Sequence, residues 1–315
     1  MRYAIGIDIG GTNTKIGIVD LYDKRVIERK IIPTVNGGQK DCFNRIIFTI
    51  KELLTAHKLG IQNIKRIGIG ILGPVINRKI VVPVNGFHWE KPIDISKELE
   101  PFFATTVYAE NDVNVIALGE CIARGNITNM IAIAIGTDIG AGFIINGSIY
   151  SGKDGTAGEI AHVIVDNNGP LCECGRRGCF SQYCGGYNFK KSYLKLFERM
   201  TGEKVDEDLS VKDIFEAAKN GNRLAEESVI TFVRHLAKQI VNLNVIWNPD
   251  LFIIAGGISM AGDYLIDKIN KECSNLKFEN GYIIEPRIEM SILGNDAGIL
   301  GAAFIGETIW NTSGE

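Results

Sequence analysis

A β-prone run that ends in a glycine–threonine pair occurs twice in this chain, and the repetition restricts its fold more than any other feature. Residues 3–9 lead into Gly10, Gly11 and Thr12, and Gly17 follows the threonine by five residues; residues 131–135 lead into Gly136 and Thr137, and Gly142 follows at the same offset. Two such strand, turn and strand units in one chain imply two related halves facing each other. The length of 315 residues suits one large α/β domain or two of ordinary size. Hydrophobic residues at 45% and charged residues at 23% supply a core and exclude a mainly disordered or collagen-like chain.

Periodicity predicts the elements between the repeats. Strands at 15–20 and 26–32 continue a β-meander, and a helix over 41–57 carries Phe43, Ile46, Ile47, Ile50, Leu53 and Leu54 on one stripe. Strands at 66–72, 79–84 and 106–109 follow, with helices at 95–102 and 112–123. The second half opens with a strand at 131–135, a glycine turn over 136–142 and short strands at 143–145 and 148–150. Helices at 186–199, 211–219 and 222–247, a strand at 251–255, a helix at 261–273, a strand at 286–292 and a last helix at 297–309 complete it. This alternation is that of an α/β fold with mixed sheets. No low-complexity linker divides the halves, so the boundary is expected as a hinge near 110–112.

A net charge of −3, from 34 Lys+Arg and 37 Asp+Glu, gives no general attraction to nucleic acid or to acidic lipid, so neither is expected as a partner. The opening MRYAIGIDIG lacks the length and cleavage site of a signal peptide, and the apolar peaks at 131–135 and 251–255 fall far short of a membrane span. A soluble, cytoplasmic protein is the expectation. Of seven cysteines, four crowd between Cys172 and Cys184, which in such a compartment argues for metal rather than disulfides.

The motifs that could carry chemistry sit at strand ends. DIGGT at 8–12 offers Asp8, Gly10, Gly11 and Thr12, as a phosphate-holding turn requires. Glycines let backbone N–H groups approach an anion, Thr12 can donate to it, and Asp8 can hold a hydrated Mg²⁺. An ordinary glycine hairpin is the alternative. The second turn, GTDIGAG at 136–142, favours phosphate, because two such loops on opposite halves can grip a triphosphate. GIGILG at 68–73 has the spacing of a dinucleotide fingerprint, but Pro74 and a strand-like stretch follow where that fingerprint needs a helix. Glu110, Asn111 and Asp112 open a helix; a carboxylate there could take a proton from an attacking hydroxyl, or the triplet could simply cap the helix. His162, Cys172, Cys174 and Cys179 form a Cys₃His set within eighteen residues, the pattern of a closed structural zinc site, with an iron–sulfur cluster using Cys184 as the alternative. Gly256 and Gly257 end the strand at 251–255, and GNDAG at 294–298 opens the last helix. His57 and His235 lie in helical stretches and His88 in a loop, with no role assigned.

As a set, these residues resemble the ROK family of sugar kinases. The resemblance runs nearly the whole chain in order: DIGGTNTKIG (8–17), GPV (73–75), Asn85 to Trp89, ENDVNVIALGE (110–120), GTDIGAG (136–142), GEIAH (158–162), CECGRRGC (172–179), IIAGG (253–257) and GNDAGILGAA (294–303). It implies the actin-like ATPase (ribonuclease H-like) fold: two lobes, each a mixed sheet flanked by helices. Residues 1–111 with about 299–315 would form a small lobe, and 112–298 a larger one carrying the zinc loop 162–179. It further implies that Asp112 is the general base for a hexose hydroxyl, normally that on C6, attacking the γ-phosphate of ATP. Asn85, Asn111, Glu159 and His162 would hold sugar hydroxyls. Asp8, Gly10, Gly11, Thr12, Lys15, Gly136, Thr137, Gly256 and Gly257 would serve ATP and Mg²⁺. His162 would bind zinc with one nitrogen and the sugar with the other, and a homodimer is the implied assembly.

Two departures stand out. Where the family usually has GCLE this chain has GCFS at 178–181, so a glutamate that contacts the sugar near its anomeric end becomes Ser181; Ala161 replaces a frequent glycine. Glucose is the expected sugar, with N-acetylmannosamine, allose or a β-glucoside as neighbouring specificities. Part of the family is sugar-responsive repressors, which need a DNA-binding helix-turn-helix before the first phosphate loop. Only seven residues precede Asp8, so an enzyme is expected. A catalytically silent sugar sensor and an iron–sulfur ATPase activator are the other rivals.

Overall fold

The structure, a computed structural model, describes residues 1–34, 38–83, 89, 91–204, 208–276 and 285–307. In chain order its elements are β1 (Tyr3–Ile9), β2 (Asn13–Asp20), β3 (Arg25–Pro33), α1 (Gln39–Ala56), β4 (Ile64–Ile71), β5 (Val75–Ile76), β6 (Ile80–Val81), β7 (Ile93–Asp94), α2 (Ile95–Phe103), β8 (Thr106–Asn111) and α3 (Asp112–Arg124). Then come β9 (Met130–Ile135), β10 (Ile139–Ile145), β11 (Ser148–Ile149), α4 (Ser181–Cys184), α5 (Gly186–Thr201), α6 (Val211–Lys219), α7 (Arg223–Trp247), β12 (Leu251–Ala255), α8 (Asp263–Asn275), β13 (Ile288–Met290) and α9 (Asp296–Ala303). The chain divides into two compact units, the first of Met1–Ala132, Gly142–Gly158 and Ile292–Glu315, the second of Ile133–Ala141 and Glu159–Ser291.

The two principal sheets repeat one plan. Their strand orders are β3-β2-β1-β4-β8 and β11-β10-β9-β12-β13, which is third, second, first, fourth, fifth in both. In the first sheet β1 pairs antiparallel with β2 and parallel with β4, and β4 pairs parallel with β8, so the sheet is mixed. The duplication read from the two glycine–threonine turns is thus a duplication of sheet topology.

In the first unit α1 buries Cys42, Phe43, Ile46, Ile47, Ile50, Leu53 and Leu54 and packs on β2, β3 and α2. Each large apolar side chain so buried contributes roughly 1.5–3 kcal/mol relative to exposure. The helix α9 is apolar all round, buried from Ala297 to Ala303, and lies against β1, β4 and α3. It lies so close that a Cβ at Gly6 would stand 1.9 Å from Ile299 O and one at Gly68 1.7 Å from Ala302 O. Gly68 and Gly70 of the false dinucleotide fingerprint therefore serve helix packing, and β5 rather than a helix follows the motif. Glu120, fully buried on α3, accepts from Ile292 N at 3.2 Å and Leu293 N at 3.1 Å and pairs with Arg124. It fixes the segment that returns the chain to this unit.

Several boundaries differ from expectation: the strand expected at 79–84 is only Ile80–Val81, with 84 outside the described residues, and that at 286–292 is Ile288–Met290. The second turn ends at Asp138, because β10 begins at Ile139; Gly142 lies inside that strand, where a Cβ would meet Val113 O at 2.5 Å. The last helix ends at Ala303 rather than 309, and 308–315 lie outside the described residues. The hinge expected near 110–112 falls within the first unit, because α3 packs along α9 and on β4. Among the described residues no helix is long and apolar enough to cross a membrane.

Candidate functional site

In the first unit the turn between β1 and β2 is tight. Gly10 N donates to Asn13 O at 3.1 Å, and Thr34 Oγ1 donates to Gly10 O at 2.7 Å. Gly11 and Thr12 are left exposed at its tip. Asp8, the penultimate residue of β1, is buried to 6% exposure and pairs through Oδ2 with Lys15 Nζ at 2.9 Å. Its Oδ1 has no protein partner among the described residues, so the carboxylate keeps an oxygen for a hydrated cation.

The junction of β8 and α3 carries the proposed base. Asn111 caps the helix: its Oδ1 accepts from Val113 N at 2.9 Å and from Asn114 N at 3.2 Å, while Nδ2 donates to Gly73 O at 3.4 Å. Asp112 is the first helical residue, partly exposed, and its Oδ1 accepts from Val113 N at 3.0 Å. Glu110 is 2% exposed and accepts from Asn111 N, Asn114 Nδ2 and Ser151 Oγ at 3.0, 3.0 and 2.9 Å. The three residues thus divide the work of the corner: Asn111 caps, Glu110 braces, and Asp112 stands at the helix N-terminus, where a negative charge is favoured.

In the second unit Gly136, Thr137 and Gly257 line a cavity of about 380 Å³, together with Tyr187, Lys190, Lys212, Phe215, Glu216, Ile258 and Met260. Its turn is pinned from both sides. Gly136 N donates to Asp138 O at 2.8 Å, and Tyr187 N at the start of α5 donates to Thr137 O at 2.8 Å. Gly256, with φ of 86°, precedes the short helical turn Gly257–Ala261 that forms one wall.

The Cys₃His set converges. One ligand atom each from His162, Cys172, Cys174 and Cys179 lie within 4.8 Å of one another, with Cys172 Sγ 3.8 Å from His162 Nδ1 and Cys174 Sγ 3.5 Å from Cys179 Sγ. Cys172 N donates to Arg176 O and Gly175 N to Cys172 O, and a bridge between Ile164 and Cys179 ties the loop ends. Cys174 is exposed, and hydrogen bonds from the backbone and side chain of Arg176 hold its thiol down to about 6. Burial pushes Cys179 up to about 12. Three sulfurs and one imidazole at this spacing fit a tetrahedral zinc ion. Cys184 stands apart, buried with Sγ donating to Phe232 O at 3.5 Å, and the fourth member of the cluster is an imidazole rather than a fourth thiol.

Glu159 sits immediately before the helical turn Ile160–His162. Desolvation raises its carboxyl above the ordinary value, the charge of Asp138 adds to this, and His162 opposes it. Asp138 is raised in the same way, first by desolvation and then by Glu173, against Ile139 N–H and His162.

The ROK family profile matches residues 4–308. The chain belongs to the ROK family. Glucokinase of Thermotoga maritima is 32% identical over 317 residues, covering 96% of each chain. Xylose repressor of Bacillus spizizenii is 30% identical and covers 96% of this chain, which spans 76% of that protein. A crystal structure of a ROK family glucokinase from Streptomyces griseus in complex with glucose and AMPPNP is 27% identical, with a TM-score of 0.79 over 96% of this chain and 98% of the other. The fold is the actin-like ATPase fold of ROK sugar kinases, with mixed sheets flanked by helices.

For this ROK chain the structure brings Gly136, Thr137 and Gly257 into one cavity and the four metal-ligand candidates into one cluster. It sets Asp8 beside Lys15 and Asn111 beside Asp112. Asn85 and His88 lie outside the described residues. His57 lies 3.5 Å from Glu28, and His235 stacks on Tyr183 with ring centroids 4.0 Å apart. Sequence reasoning missed Asp138, hidden inside a turn valued for its glycines, and the cavity residues Lys190, Lys212 and Glu216, whose helices carry no motif. It treated Glu110 as one of a triplet, although a glutamate preceding a capping asparagine was the available signal.

Proposed function

We propose that this chain is an ATP- and Mg²⁺-dependent hexose kinase that phosphorylates a sugar hydroxyl, the 6-hydroxyl of glucose first among candidates. The observation that carries the reading is a partly exposed Asp112 at the first position of α3, in a chain 32% identical to a glucokinase. Asp112 takes the proton of the hydroxyl; that oxygen bonds to the γ-phosphorus as the bond from the γ-phosphorus to the β,γ-bridging oxygen breaks, and ADP leaves. Asn111, Glu159 and His162, with Asn85, hold the sugar hydroxyls. The turns at Gly10, Gly11 and Thr12 and at Gly136 and Thr137 receive the phosphates, Lys15 adds a cation, and the cavity beside Gly256 and Gly257 receives the nucleoside. Asp8 would hold hydrated Mg²⁺, which supplies charge neutralisation on the phosphates when bound. Zinc on His162, Cys172, Cys174 and Cys179 would fix the loop from which His162 reaches the sugar. A cytoplasmic homodimer completes the proposal.

Ser181 bears on the sugar. A short neutral side chain in place of a glutamate leaves room for a substituent or another anomer near C1, which keeps N-acetylmannosamine, allose and β-glucosides as alternatives. A coupled ADP-release assay over a panel of these sugars tests the reading. Sugar-dependent ADP release supports it, and a panel in which no sugar raises release above the basal rate contradicts it. The 30% identity to a xylose repressor supports a second reading, a sugar-binding regulator. Sugar binding by calorimetry without any ADP release is its signature.

A further inference from the structure

We propose that Ser181 is a positioning residue for the metal centre, its hydroxyl donating a hydrogen bond to the Cys172 sulfur. The inference rests on the zinc reading above. Ser181 opens α4 and is only 2% exposed. Its main-chain oxygen is satisfied by Gly185 N at 2.9 Å and Asn188 Nδ2 at 3.1 Å. Its hydroxyl faces Cys172 Sγ at 3.8 Å, within hydrogen-bond reach of the larger sulfur atom, and among the described residues this sulfur is its only polar partner.

A buried hydroxyl without a partner is costly, and Cys172 is itself only 4% exposed, so water is a poor substitute on either side. Binding of a metal fixes the direction of the bond. A coordinated cysteine is a thiolate and can only accept, so Ser181 must donate. His162 Nδ1 lies 3.8 Å from the same sulfur, so the hydroxyl and the imidazole together limit where Cys172 Sγ can move. The hydroxyl at 181 thus holds the Cys172 sulfur by a hydrogen bond, whatever room its small side chain also leaves beside the sugar.

The test compares wild type, Ser181→Ala and Tyr183→Phe in two measurements: Zn²⁺ affinity by competition with a chromophoric chelator, and the sulfur-to-metal charge-transfer band after Co²⁺ substitution. Tyr183→Phe removes the Tyr183–Asp166 hydrogen bond of 3.0 Å in the same segment without touching a thiolate. Ser181→Ala is expected to weaken Zn²⁺ binding roughly tenfold or more and to move the band to lower energy, because a thiolate stripped of a hydrogen bond gives up charge more readily. Tyr183→Phe is expected to change neither. The band is read only from loaded protein, so partial misfolding does not blur it. Wild-type values for Ser181→Ala in both measurements would overturn the proposal, and an equal loss in Tyr183→Phe would reduce it to general loosening of the loop. Failure of the wild type to take up one Zn²⁺ or Co²⁺ would overturn the metal centre itself, and this role with it.

Discussion

Glu159 and Asp138 both hold their protons more tightly than ordinary carboxyls, and each has a consequence for pH. A Glu159 that must be ionised to accept from a sugar hydroxyl sets the acid limb of kcat/KM above the ordinary glutamate range. The charge of Asp138 contributes to that shift, so Asp138→Asn is expected to move the acid limb to lower pH; a pH–rate profile checks it, and an unmoved limb contradicts it. Groups with raised folded pKa bind protons better folded than unfolded, so they lose stability as pH rises through the folded value. Asp138→Asn should therefore unfold at neutral pH no earlier than wild type. At this scale the sequence was most informative where residue type and local context agree, as for Asp8 at a strand end before two glycines and the clustered cysteines. Lys190, Lys212 and Glu216 were not legible, because only the packing of α5 and α6 brings them to one cavity.

The helix α3 owes its start to Asn111, whose side chain satisfies two of the amides that a helix leaves unpaired. Asn111→Ala is expected to destabilise the protein by roughly 0.5–2 kcal/mol, and Asn111→Asp, which keeps an accepting oxygen, by less. Urea unfolding distinguishes them; equal losses would show that the cap is not what matters. The helices were readable because apolar residues recur at the helical period, as on α1, and α6 starts and stops where its pattern does. The second glycine turn was drawn too long. Its later glycine answers to α3 packed above the strand, which no local pattern records.

At the scale of the molecule the repetition of one strand order in two sheets is the main result, and two short motifs were enough to announce it. Where the chain divides into units was not legible in the sequence. It depends on α9 returning to pack on β1, β4 and α3, a contact between distant parts of the chain. A ligand that binds only the folded chain stabilises it by mass action, about 2.7 kcal/mol at a hundredfold excess over Kd. A non-hydrolysable ATP analogue with Mg²⁺ should therefore raise Tm, and Lys15→Ala should reduce the rise; an analogue that leaves Tm unmoved at any concentration would contradict nucleotide binding. The most direct measurement is product analysis by ³¹P NMR of wild type and Asp112→Asn with ATP, Mg²⁺ and glucose. Wild type should yield ADP and a sugar phosphomonoester in equal amounts, while Asp112→Asn should turn over about 10²–10⁴ times more slowly and still bind glucose. Undiminished turnover in the variant, or ADP formed with no phosphorylated sugar in the wild type, would contradict it.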